Sequence, residues 1–150
     1  MDTALPYEAL QLRYHPDPIL RAACETVTSV DEGIRELARE MLASLPRFHG
    51  CGLAAPQIGR ALQLFVVNVG GERVFINPRI VSASDVRVER LEGCLSFPDL
   101  RTAVSRPSSV VIEAIGLDGN PFTIEARGFR AVAVQHEYDH LQGILMIDPH

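Results

Sequence analysis

Residues 134–140 read VQHEYDH: two histidines four apart, with a glutamate directly after the first. In a helix, residues i and i+4 project from one face a turn apart, so His136 and His140 can offer two neutral imidazoles to one metal ion. Glu137 then stands beside the ligands, placed to serve a water molecule as general base without itself ligating. The plainer reading is a helix with two surface histidines. The neighbours argue against it. Phe129, Val132 and Ala133 share the helical face of His136 and His140. That turns the imidazoles inward, where polar groups without partners are costly. Gly143 is the expected C-cap.

A catalytic metal site needs a third protein ligand and an open position. Only ten residues follow His140, and the downstream position where a third histidine would complete H-E-x-x-H-x-x-G-x-x-H is Met146. The third ligand is therefore expected upstream. Cys94, in LEGCLSFP at residues 91–98, leads the candidates, ahead of Asp85 and Glu92. A thiolate with two imidazoles makes a set that leaves one tetrahedral position for water. Without the histidines, Cys94 would read as a small buried apolar side chain.

The composition narrows the class. A chain of 150 residues, 47% hydrophobic and 22% charged, is expected to form one globular domain over 1–150. Its net charge is −5 and its 14 basic residues are all arginine. That argues against a nucleic-acid partner gripped by a basic face, and it excludes Schiff-base lysine and P-loop chemistry. No apolar run is long enough to span a bilayer, so no membrane partner is expected. The opening MDTALPYEALQ lacks the basic and apolar regions of a signal peptide, which points to the cytoplasm. Three cysteines, Cys24, Cys51 and Cys94, do not suggest a disulfide framework.

Periodicity gives the organisation. HPDP at residues 15–18 reads as a non-helical loop. Asp31 is a helix N-cap, followed by Ile34, Leu37, Ala38, Met41, Leu42 and Leu45 on one face, stopping near Pro46. Residues 49–59, HGCGLAAPQIG, read as a glycine-rich loop. Strands are expected at 62–68 and 73–77, with a third from Val86. Residues 109–126 form a hairpin turning at Asp118–Gly119. The fold class is α+β. Antiparallel strands pack around a central helix in the C-terminal half that carries H-E-x-x-H, and an N-terminal amphipathic helix is added.

Three stretches together resemble one family. GCGLAAPQIG (50–59), EGCLSFP (92–98) and QHEYDHLQG (135–143) are similar, in order, to the three motifs of peptide deformylases, and YHPDPILR (14–21) resembles that family's N-terminal segment. The likeness covers nearly the whole chain. It implies removal of the formyl group from N-terminal formyl-methionine of nascent chains near the ribosome, with release of formate. It also implies one divalent metal on Cys94, His136 and His140: Fe²⁺ natively, with Zn²⁺, Ni²⁺ or Co²⁺ able to occupy the site. Glu137 would be base and then acid. The Gln57 side-chain amide and the Leu95 backbone N–H would receive the formyl oxygen. Gly52 and Arg101 would contact the substrate backbone. Phe129, Val132 and Ala133 would line the methionine pocket, and Glu92 and Arg106 would form a structural ion pair.

Two other readings compete: a metal-dependent amide hydrolase or peptidase with a different substrate, and a non-catalytic module that binds N-terminal methionine. Retention of Glu137 and Gln57 favours the active enzyme. Three features depart from the family pattern. Cys51 stands where Ile or Val is usual, and Arg90 where an apolar pocket residue is common. The chain closes on LMIDPH, where many bacterial members continue into a C-terminal helix, so a short form is expected. No oligomeric state is specified by the sequence.

Overall fold

The computed structural model describes residues 9–150, so the reading of the first eight residues lies outside it. The architecture is mixed, with two α-helices and seven antiparallel strands among the described residues. Helix α1 (Glu32–Phe48) starts where expected, because the Asp31 carboxylate accepts the Ile34 N–H at 3.0 Å. It ends near Pro46, as expected, running two residues past it to Phe48. Proline's fixed φ is helical, but its missing N–H and its ring's clash with the i−4 carbonyl disfavour continuing, and the helix ends within two residues. The end comes at His49, which turns left-handed (φ 58°) and donates its N–H back to the Leu45 and Pro46 carbonyls.

The glycine-rich stretch expected to be a loop over 49–59 is partly ordered. Residues Gly52–Ala54 form strand β1, and Ala55–Ile58 form a 3-10 turn. Leu53 and Ala54 are wholly buried, which the surrounding glycines masked. Strand β1 pairs with β2 (Leu64–Asn68), β2 with β3 (Glu72–Ala83), and β3 with β6 (Ser109–Ile115). Strand β6 pairs with β7 (Pro121–Arg127), giving a sheet in the order β1-β2-β3-β6-β7. Strand β3 is longer than expected because it passes Pro78 through a register shift between Ile76 and Arg79, with Asn77 at φ 51°. The Asn77 amide holds that bend by accepting from the Val27 N–H and donating to its carbonyl.

The remaining strands, β4 (Arg87–Cys94) and β5 (Phe97–Pro107), make a separate two-stranded unit. Prolines at both ends of β5 hid it in the sequence. The HPDP loop is also not wholly irregular. Pro18–Arg21 forms one 3-10 turn, capped by Asp17 and opened by a proline where the missing N–H costs nothing.

Alternation along β2 builds two cores from one strand. Phe65 and Val67 face helix α2 (Gly128–Leu141), packing with Val134 and Leu141. Leu64 and Val66 face α1, packing with Leu37, Met41 and Leu45. The five-stranded sheet thus lies between the two helices. Helix α2 is not amphipathic with a single buried face, as its spacing suggested. From Ala131 to Glu137 every residue is buried, while Phe129 is 52% exposed. No helix among the described residues is long and apolar enough to cross a membrane.

Behind α2 the chain is tied to its beginning. Arg21 donates to the Gly143 carbonyl at 3.0 Å and to Asp148 Oδ1 at 2.9 Å. The hydrogen bond from Arg21, against a smaller opposing push from burial, lowers the Asp148 carboxyl from its usual 3.8 to about 2. A folded value below the unfolded one means this contribution is complete above about pH 4 and fades as pH falls toward 2. NMR titration of the Asp148 carboxyl is expected to give a midpoint near 2, returning towards the ordinary aspartate value in Arg21→Gln.

Candidate metal centre

Strand β4 delivers Cys94 at its end, and α2 delivers His136 and His140 a turn apart. The three ligand atoms all lie within 4.8 Å of one another. Cys94 Sγ is 3.4 Å from His140 Nε2, and the two imidazole centroids are 5.1 Å apart. His136 Nδ1 meets Glu92 Oε1 at 2.9 Å, which turns its Nε2 away from that carboxylate.

Glu92 is itself held by Arg106 through bonds of 2.6 and 2.9 Å, and both residues are buried. Arg106 also donates to Asp139 at 2.9 Å. Burial pushes the Glu92 carboxyl up, but hydrogen bonds from Arg106 and His136 outweigh it and hold the group at about 2. Glu92 is therefore a fixed anion behind His136. Asp139 was not singled out in the sequence. Its only signal was an acidic residue beside His140 and three after His136.

Burial disfavours charge on both histidines. His136 is nonetheless pushed well above the ordinary value by Cys94 and Glu92, while His140 is driven well below by burial and by the neighbouring His136. The corner thus favours one positive charge and keeps one imidazole neutral. Two buried polar atoms there lack a hydrogen-bond partner, Glu137 Oε1 and His140 Nδ1. One soft thiolate, two imidazoles and a local demand for positive charge fit a borderline divalent cation.

Glu137 lies under the same cleft. Burial lifts its carboxyl to about 7, with His136 and Arg106 pulling the other way. Gly52 of β1 passes directly over it: a Cβ there would stand 2.7 Å from Glu137 Oε2. Gln57 is buried in the 3-10 turn, where its Oε1 accepts the Ala54 N–H at 2.9 Å. Its Nε2 donates to Ser96 Oγ at 3.1 Å and approaches Cys94 Sγ at 3.6 Å. Ser96 is a second residue the sequence reading passed over; a lone serine in a turn carries no signal. Leu95 lines the cleft and packs its side chain against Gly50.

The cleft has a volume of about 930 Å³. Val132 and Ala133 form buried wall, Phe129 stands at the mouth, and Arg101 lines it with no carboxylate partner among the described residues. Cys51 lines it as a free thiol that burial, and then Glu137, push up from its ordinary value, so it is a poor nucleophile. Arg90, which stands where an apolar pocket residue is common in the family, is exposed and does not line the cleft.

The family model for polypeptide deformylase matches residues 9–150. The chain is 42% identical over 140 residues to peptide deformylase 1 of Clostridium perfringens, covering 91% of this chain and 95% of that protein. It is 41% identical to the peptide deformylase of Natranaerobius thermophilus, over 92% of this chain and 90% of that one. The crystal structure of peptide deformylase from Thermotoga maritima superposes with a TM-score of 0.92 at 34% identity, over 95% of this chain and 98% of that one. That of a peptide deformylase from Synechococcus elongatus in complex with actinonin gives 0.91 at 36% identity, over 96% and 80%. By family model, identity and fold alike, the chain belongs to the peptide deformylase family.

Proposed function

We propose that Cys94, His136 and His140 hold one divalent cation, and that Glu137 moves the proton in hydrolysis of a formyl amide there. The activity itself is that of the family: removal of the formyl group from N-terminal formyl-methionine of newly made polypeptides, releasing formate. One observation carries the residue assignment. Glu137, buried and with an unpartnered carboxylate oxygen, lines the same cleft as Cys94 and His136.

When bound, the cation supplies Lewis acidity, bringing the pKa of a water molecule towards neutrality and polarising a carbonyl. Glu137 accepts the proton of the attacking water. A buried carboxylate with an oxygen free of protein partners is placed to take that proton and give it back. The formyl C–N bond breaks only once its nitrogen is protonated, so Glu137 returns the proton to the departing amine. The Gln57 amide and the Leu95 backbone N–H are the proposed donors to the formyl oxygen as charge builds on it. The bond from the Ala54 N–H fixes the plane of the Gln57 amide in advance.

Val132, Ala133 and Phe129 are the proposed methionine pocket, and Gly52 and Arg101 the contacts to the peptide backbone. Glu92 and Arg106 orient His136. Gly52→Ala tests the close approach over Glu137. Displacing that carboxylate by about 1 Å is expected to lower kcat about a hundredfold, with metal content unchanged in parallel metal analysis.

Fe²⁺ is the proposed native ion, with Zn²⁺, Ni²⁺ and Co²⁺ as alternatives, because a thiolate and imidazole set suits all four. Action on nascent chains near the ribosome in the cytoplasm, by a single domain over 1–150, completes the reading.

Product analysis of a formyl-Met peptide tests it. The expected result is one formate per intact peptide bearing a free amine. Internal cleavage with the formyl group retained would mark a peptidase. Tight binding by metal-loaded protein without turnover would mark a binding module.

A further inference from the structure

We infer that Arg21 and Asp148 form a clamp that positions Cys94 and the end of α2 for metal binding, an inference that rests on the metal-site reading above. The two residues are 127 positions apart, and their side chains are 46% and 25% exposed. Exposed ion pairs add little stability. Their value here lies in what they hold still.

Gly143 follows His140 by three residues. It is left-handed (φ 72°) and donates its N–H to the His140 carbonyl at 3.2 Å. The Arg21 carbonyl oxygen lies 3.0 Å from where a Cβ on Gly143 would stand, so the two backbones touch. Arg21 also bonds the Gly143 carbonyl and both Asp148 oxygens. Asp148 Oδ2 in turn accepts the Leu145 N–H at 2.9 Å. The segment is thereby closed into a turn.

That turn drives Leu145 (1% exposed) and Met146 (4% exposed) into a small apolar cluster with Leu20, Phe97 and Val104. Cys94 packs against this cluster. Leu20 is the residue next to Arg21, so the clamp joins the floor under one ligand to the end of the helix that carries another. From the other side, His15 braces the same β4–β5 turn. Its N–H bonds the Ser96 carbonyl at 2.9 Å, and its ring stacks on Phe97 at 4.7 Å. Loosening the clamp should free the Cys94 thiolate to move away from the imidazoles while leaving the sheet intact.

The test uses the full chain loaded with Co²⁺, whose thiolate charge-transfer band reports Cys94 directly. Loss of that band to excess EDTA is timed in wild type, Arg21→Gln, Asp148→Asn and Arg21→Lys. Glu113→Gln serves as reference, breaking the exposed Arg79–Glu113 pair elsewhere on the surface. Arg21→Gln and Asp148→Asn are expected to lose the metal about tenfold faster. Arg21→Lys, which keeps the charge but not the fork, should fall between them and wild type. Glu113→Gln should match wild type in metal loss, and the clamp variants should still melt cooperatively without metal, with a modest loss of stability from the missing Arg21 and Asp148 bonds. KM should stay constant while kcat falls in step with metal lost. Rates equal to wild type in both clamp variants, or the same acceleration in Glu113→Gln, would overturn the clamp. A wild-type band that survives Cys94→Ala would overturn the metal-site reading, and the clamp with it.

Discussion

A Glu137→Gln variant is expected to release formate roughly a thousandfold more slowly than wild type, with its metal content unchanged. Glutamine keeps the shape and a hydrogen-bonding end, so the packing under Gly52 survives. What disappears is the group proposed to take a proton from water and return it to the leaving nitrogen. Glu137 is buried and its carboxylate has an oxygen with no protein partner, so no other side chain ties it down. Steady-state formate release, with metal counted on the same sample, makes the comparison. Activity within about tenfold of wild type would place the base elsewhere.

The largest effect on stability is expected at Arg106. Its guanidinium serves Glu92 twice and Asp139 once, and it is 4% exposed. Arg106→Ala leaves the Glu92 carboxylate buried with only His136 for company. Breaking a buried pair in this way costs about 3–5 kcal/mol, which lowers the melting temperature of a chain this size on the order of 10 °C. A second consequence follows at the metal. Glu92 orients His136, so its release should also weaken metal affinity between about tenfold and a hundredfold. The two effects separate in the double variant Arg106→Met, Glu92→Gln. Removing both charges should recover most of the stability, while metal affinity stays reduced because the anion behind His136 is gone. Thermal melts with and without metal make the measurement.

Much of this site could be read from spacing. His136 and His140 are a helical turn apart, so periodicity placed them on one face, with Glu137 directly beside His136. Cys94 led the upstream candidates, ahead of Asp85 and Glu92, and the fold brings its sulfur to the two imidazoles. The supports of these residues were less legible. Asp139 and Ser96 matter through a tertiary neighbour, Arg106 in one case and Gln57 in the other, and neither neighbour is local in sequence. The fold shows the same division. Asp31 announces α1 through its own capping bond, and Gly119 allows the hairpin turn at φ 83°. Strand β1 is hidden by the glycines that let its backbone pass Glu137, and β5 by its prolines. Helix α2 has no polar face to reveal its orientation, because strands of both sheets cover it. The tie between Arg21 and Asp148 spans almost the whole chain and leaves no local pattern.

The most direct measurement is formate release from a formyl-Met peptide. The protein is purified without oxygen and given one equivalent of Fe²⁺, with metal-stripped protein alongside. Formate and free amine in equal amounts are expected from the loaded protein, and none from the stripped one. One metal ion bound through Cys94, His136 and His140, with the formyl peptide left intact, would contradict the proposed function.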